Sequence, residues 1–319
     1  MRFWLLMVWF ALLPAPGCAQ GIEGAISLYE HGKFPGAAEA LSGLIKKSPE
    51  DANLRLWAGK THLKLQRWDD AIREFKRAVE ISPRNGVYHL WLGRAYGRKA
   101  EHASMFGAIG PAGNARERFE AAVQLAPENL DARFDLLDFY SQAPGVMGGG
   151  RGKAEAQARE IARISPRAGF SARAMIFEAN KEREKARQEL MQAAVKFPGD
   201  PEAFVDLAAF QLRQRDFAGA ESNAQKGCAL ARSNRNARLV LAAAQIELNR
   251  NLADALKTLL ELTAGPLTDD DPSFEEAYYW LGRAYLAQNQ KTEARQAFQT
   301  SLGFDPEYRR SKQALKQIR

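Results

Sequence analysis

Apolar and small residues recur along this chain at helical spacing, and the pattern itself repeats as a block. A small residue is followed by an alanine twelve positions later, an apolar or small residue four further on, and another three beyond that. The set runs Ala25, Ala37, Leu41, Leu44, then Gly59, Ala71, Phe75, Ala78. It returns as Ala174, Ala186, Leu190, Ala193, then Ala208, Ala220, Ala224, Gly227. It continues as Ala243, Ala255, Leu259, Leu262 and closes as Gly282, Ala294, Phe298, Ser301. Steps of three and four keep residues on one helix face, so each block predicts two antiparallel helices. The small residues mark where the two backbones approach, with Phe75, Tyr96, Phe119, Tyr285 and Phe298 filling the space beside them. Pro49, Pro83, Pro127, Pro166, Pro198 and Pro306 are expected to end the second helices, because proline lacks an amide donor and clashes with the preceding turn. A single helix pair cannot bury its apolar stripe, so stability must come from neighbouring pairs stacking.

Ala25 to Gly59, Gly59 to Gly93 and Ala174 to Ala208 are each 34 residues apart. With that period, Trp91-Leu92-Gly93-Arg94-Ala95-Tyr96 and Trp280-Leu281-Gly282-Arg283-Ala284-Tyr285 resemble the tetratricopeptide repeat family. The resemblance covers about residues 21 to 306. It implies an all-α fold, a right-handed α-α superhelical solenoid of about eight TPR helix pairs. Residues 20–306 would form the solenoid and 307–319 a polar C-terminal capping helix. Two units depart from the period: Gly93 to Ala115 is 22 residues and Leu137 to Ala154 is 17. Their helix-helix turns are therefore expected to carry loop insertions. One holds Met105, Phe106 and Pro111, and the other Val146, Met147 and the Gly148-Gly149-Gly150 run. The two loops should lie side by side, either packing together or offering a contact patch for a partner.

The amino terminus changes the picture of where the chain works. Arg2, the apolar run Phe3 to Leu13, and then Pro14, Pro16 and the small residues Gly17, Cys18 and Ala19 read as an export signal over residues 1–19. The run falls short of the about 20 apolar residues that span a bilayer. Cleavage after Ala19 would give a soluble protein. Gly17-Cys18 also resembles the end of a bacterial lipoprotein signal, in which a lipidated Cys18 would attach the protein to a membrane. Periplasm or cell envelope is the expected location, and nucleic acid is not an expected partner. The formal charge of +7 points instead to acidic partners or an anionic surface. Cys228, the one other cysteine, excludes a disulfide framework within the folded body and reads as a buried, inert thiol.

Catalytic chemistry finds no foothold. His31, His62, His89 and His102 never fall at the spacing that puts two ligands on one helix face, so no metal or other cofactor is expected. His62 shares its repeat phase with Tyr96 and Tyr285 and is expected to pack in the core. Gly148 to Ala154 lacks the first glycine, the hydroxyl residue and the preceding strand of a phosphate loop. Asp269-Asp270-Asp271 lacks the spacing of a calcium loop and reads as a solvated approach to a helix capped by Ser273.

The first helices of each pair remain, which in the tetratricopeptide family line a concave groove. Lys60 and Lys64 share a helix face, and Arg94 and Arg98 repeat them one unit later. The equivalent face of the next unit carries Asp131, Asp135 and Asp138. The expected function is an exported, non-enzymatic scaffold or adaptor that binds a protein or peptide. An acidic segment of the partner would dock over the four cations and be oriented by the aspartates. The alternative is an accessory subunit or enzyme whose ligand site is formed by the two glycine-rich insertions, with Met105, Phe106, Val146 and Met147 in contact.

Overall fold

The computed structural model describes residues 21–318, so the expected leader and its Cys18 lie outside the described residues. Among the described residues there are 17 α-helices and no strand. They pair in chain order as α1 (Ile22–Glu30) with α2 (Phe34–Lys47), α3 (Ala52–Lys64) with α4 (Trp68–Ile81), and α5 (Gly86–Glu101) with α6 (Met105–Leu125). Next come α7 (Leu130–Gln142) with α8 (Arg151–Ile164), α9 (Pro166–Ala179) with α10 (Arg183–Lys196), and α11 (Pro201–Arg213) with α12 (Phe217–Leu230). Finally α13 (Arg235–Glu247) pairs with α14 (Leu252–Ala264), α15 (Phe274–Ala287) with α16 (Lys291–Phe304), and α17 (Arg309–Gln317) follows. The architecture is an α-α solenoid.

The local causes repeat with the units. Seven first helices are capped by a side-chain oxygen that accepts from an amide of the first turn: Asp51, Asn85, Asn129, Ser165, Asp200, Asn234 and Ser273. Of the six prolines expected to stop second helices, five follow a helix end, but Pro166 is the first residue of α9. There its missing amide costs nothing, and Ser165 closes α8 and caps α9 at once.

Inside each pair, the small residue of the first helix is matched to its partner on the second. A Cβ added at Gly59 would lie 2.5 Å from the Phe75 ring, one at Gly93 2.7 Å from Phe119, and one at Gly282 2.5 Å from Phe298. Where the first helix carries Ala25, Ala174 or Ala243, the second presents Leu41, Leu190 or Leu259 instead, all at most 3 % exposed. The glycines thus make room for phenylalanine, and in these six units the pair keeps a similar volume.

The two insertions behave differently from one another. Met105 to Pro111 is not a loop: α5 extends to Glu101, and α6 begins at Met105 under a Ser104 cap. Ala108, Ala112, Ala115 and Phe119 fall at helical spacing, and this stripe carries the helix through Gly107, Gly110 and Pro111 despite their poor propensity. The second insertion remains non-α. It forms a 3-10 turn over Gly145–Met147 and a left-handed Gly148, and a Cβ at Gly149 would run into the Ala143 carbonyl. The second insertion packs on the body of α6, with Gly148 lying against the Arg116 side chain, which stands beyond the Met105 to Pro111 stretch.

Eight stacked pairs bring the two ends of the solenoid together. The Leu267 amide donates to the Glu30 carbonyl at 2.7 Å, and the Gln66 side chain donates to Asp305 at 2.9 Å. Phe34 of α2 sets its ring 6.2 Å from Phe274 and 6.0 Å from Phe304, and these two stack at 4.9 Å. Gly32, in the left-handed region at φ 69°, passes so close that a Cβ there would lie 2.8 Å from Phe304. Gln66, Lys181 and Arg215 occupy the same turn position in other pairs with φ of 57°, 63° and 66°. The turn therefore tolerates side chains, and it is the seam that specifically leaves no room for one at position 32.

A central cavity at the seam

The first helices α3, α5 and α7, with α6, Tyr29 of α1 and the ends of the array at Phe34, Asp269 to Glu275 and Phe304, surround a cavity of about 690 Å³. All seven charged residues singled out from the sequence line it: Lys60, Lys64, Arg94, Arg98, Asp131, Asp135 and Asp138. Met147 stands at its edge, whereas Met105, Phe106 and Val146 are 79 %, 85 % and 92 % exposed elsewhere on the surface.

The cations are largely engaged by the protein itself. Lys60 Nζ pairs with Asp269 at 2.8 Å and lies 4.3 Å from the Trp57 ring and 4.4 Å from Trp91. Arg94 pairs with Asp135 at 2.5 Å and stands 4.6 Å over Trp91. Arg98 pairs at 3.0 Å with Glu101 on the exposed surface of its own helix. Among the described residues Lys64 makes no ion pair.

Asp269 also accepts from the buried Tyr29 hydroxyl at 2.6 Å, so one carboxylate ties α1 and α3 to the loop before α15. Asp271 caps that loop through Thr268 and pairs with Arg235 at 2.7 Å. The aspartate run expected to be a solvated approach is instead the strap across the seam. Sequence inspection missed its partners because Tyr29 and Lys60 lie more than 200 positions away. The available signal was apolar: Phe34, Phe274 and Phe304 crowd the ends of the array, where end units normally turn a polar face to solvent.

Burial alone would raise the Asp269 carboxyl. Lys60, its hydrogen bond, the Tyr29 hydroxyl and Lys64 together hold it below the ordinary aspartate value. The folded pKa is thus lower than the unfolded one of about 3.9. The strap's contribution is complete above that value and is lost as pH falls through the folded pKa. Small-angle scattering is expected to report an unchanged radius of gyration from about pH 8 to about pH 5, with opening only below about pH 4. Opening at neutral or mildly acid pH would show that Asp269 does not hold the seam.

Asp135 and Asp138 shift the other way. Burial raises both, Arg94 only partly offsets this at Asp135, and Asp138 has Gln142 as a hydrogen-bond donor and Glu101 as a repelling neighbour. Burial lowers the pKa of the half-buried His62, whose Nδ1 finds no protein partner, and raises that of the half-buried Cys228 thiol. Among the described residues no group of three or more His, Cys, Asp or Glu is arranged to hold a metal ion, and no helix is long and apolar enough to cross a membrane.

The fold defines a helical-repeat solenoid built of paired α-helices. The tetratricopeptide repeat family model matches residues 22–86 and 249–309, the stretches on either side of the seam. Among solved structures, yeast Tom70 superposes with a TM-score of 0.59 at 16% identity, covering 90% of this chain and 58% of that one. The Cut9-Hcn1 hetero-tetramer of the APC/C gives 0.49 at 15%, over 92% of this chain and 54% of that one. A tetratricopeptide repeat protein from Parabacteroides merdae gives 0.47 at 14%, over 93% and 96%. The chain thus spans a little over half the length of the first two. No curated protein is similar to it in sequence.

Proposed function

We propose that this protein is an exported scaffold of the bacterial cell envelope that holds a segment of a partner protein in its central cavity. The observation that carries the reading is the cavity itself: first helices of successive units face one space, with charged and aromatic side chains held ready around it. Repeat solenoids use such inner faces for binding. Export rests on residues 1–19, and membrane attachment on lipidation of Cys18. Met147 and Ala143, from the second insertion, border the same cavity and would touch the same occupant. The alternative, an accessory subunit or enzyme whose ligand site is formed by the two glycine-rich insertions, loses half its basis, since the first insertion is helix.

A photo-crosslinking residue in place of Phe139, inside the cavity, is expected to capture a defined envelope protein, whereas one in place of the exposed Val195 on α10 is not. Equal capture from both positions, or none from Phe139, would refute segment binding. Reversing all four cations would break the protein's own pairs to Asp269 and Asp135. The informative variant is therefore Lys64→Glu/Arg98→Glu, which spares both. Mass spectrometry of the mature amino terminus, with Cys18→Ala beside the wild type, tests export and lipidation, and an intact Met1 would refute export.

A further inference from the structure

We infer that the segment held in the cavity is basic, presenting lysine or arginine side chains to the cavity wall. This rests on the segment-binding reading above and names the chemistry of the partner. Eight carboxylates line the cavity against four lysines and arginines. Three of those cations are already paired, Lys60 with Asp269, Arg94 with Asp135 and Arg98 with Glu101. Among the described residues that leaves Lys64 facing Asp131, Asp138, Asp270, Glu275 and Asp305, none of which makes an ion pair. The wall is therefore negative inside a chain whose formal charge is +7. A basic segment would be repelled by most of the exterior and drawn to this one space, because a concave wall of one sign focuses its field.

The cavity also shows how it accommodates a cation. Lys60 sits between the faces of Trp57 and Trp91 with a carboxylate at its ammonium, and Arg94 lies over Trp91 with Asp135 at its Nε. The same pairing of aromatic ring and carboxylate recurs one unit on, at Phe139 beside Asp135 and Asp138, where among the described residues no cation stands over the ring. Burial pushes both of these carboxyls up and the neighbouring acids add to the shift, so each gains from a positive charge brought close. An incoming guanidinium or ammonium would meet acceptors and a ring face already in place. The acidic segment expected from sequence would instead face the five unpaired carboxylates and displace the protein's own ion pairs.

The test uses three synthetic peptides of equal length, one rich in arginine and lysine, one rich in glutamate and one uncharged, titrated calorimetrically into the full mature protein. The basic peptide is expected to bind about tenfold or more tighter than the acidic one, and to weaken as salt rises. Asp131→Asn/Asp138→Asn is expected to lose about tenfold of that affinity. Asp270→Asn, on the opposite wall, serves as a second variant, because the backbone carbonyl of Asp270 and not its carboxylate makes its hydrogen bond to Asn236. Tighter binding of the acidic peptide would overturn this inference and leave segment binding standing. Equal binding of the basic peptide to wild type and to both variants would place it outside the cavity and overturn the inference too. Failure of all three peptides to bind the wild type would overturn both readings. Should the double variant fail to fold, Asp270→Asn and the ratio of basic to acidic affinity on the wild type decide.

Discussion

Replacing Asp269 by alanine is expected to open the seam and to destabilise the protein by about 1–3 kcal/mol, the cost of leaving desolvated partners unsatisfied. Two donors lose their acceptor at once: the Tyr29 hydroxyl, which is 2 % exposed, and the Lys60 ammonium, whose side chain is 11 % exposed. Asp269→Asn keeps an acceptor for Tyr29 and gives up the charge, so it should fall between alanine and wild type. Lys60→Met combined with Asp269→Leu removes the ion pair as a unit. That combination is expected to recover the Lys60 share of the loss, since deleting both members of a desolvated pair costs less than orphaning one, and to leave the share due to the Tyr29 hydroxyl. The readouts are the denaturant midpoint, the radius of gyration and amide exchange over residues 265–273. An Asp269→Ala protein that melts with the wild type and keeps its dimensions would show that the aromatic contacts of Phe34, Phe274 and Phe304 suffice on their own.

The second large effect is within a unit. Gly282→Ala places a Cβ 2.5 Å from the ring of Phe298, which is fully buried and cannot move aside. Overpacking of this kind costs about 1–3 kcal/mol, partly offset by the better helix propensity of alanine. Phe298→Leu alone leaves a void and is also expected to destabilise. Together the two changes recreate the alanine-leucine pair that already works as Ala25 with Leu41 and Ala243 with Leu259. The double variant should therefore be more stable than the sum of the single changes predicts, with a coupling of about 1–2 kcal/mol. Strict additivity in the denaturant midpoints would show that the small residue does not set the partner's size.

This pairing was legible in the sequence because it is local. Gly59 and Phe75, or Gly282 and Phe298, stand at one fixed offset, and the helix period converts that offset into a contact. The pairs and their number follow from the same arithmetic. The stretch around Pro111 reads as a loop because the unit there exceeds the repeat period, but the period does not say whether the extra residues extend a helix, which the stripe Ala108, Ala112, Ala115, Phe119 does. Burial of that stripe outweighs the local preference.

The cavity was half legible. The seven charged residues that the first helices give to its lining were identifiable from their repeat phase, but the carboxylates from the far end of the chain, Asp269, Asp270, Glu275 and Asp305, were not, and no charge could be assigned to its partner. Lys60 looks like a free cation until the superhelix has completed its path and brought Asp269 to it. Which charges are spent and which are available depends on the rise and rotation accumulated over eight units, a quantity that no single repeat states.

Joining the ends alters how the molecule can come apart. A linear stack of repeats has two terminal modules with one neighbour each, and it melts inward from them because that is where the fewest contacts are broken first. Here Tyr29, Leu267 and Phe304 give each terminal module a second neighbour, so the stack behaves as a circle and offers no cheap place to begin unzipping. The same contacts can form only after every intervening module has taken its place, which makes them the slowest to be won in folding and the sharpest test that the whole circle has been completed.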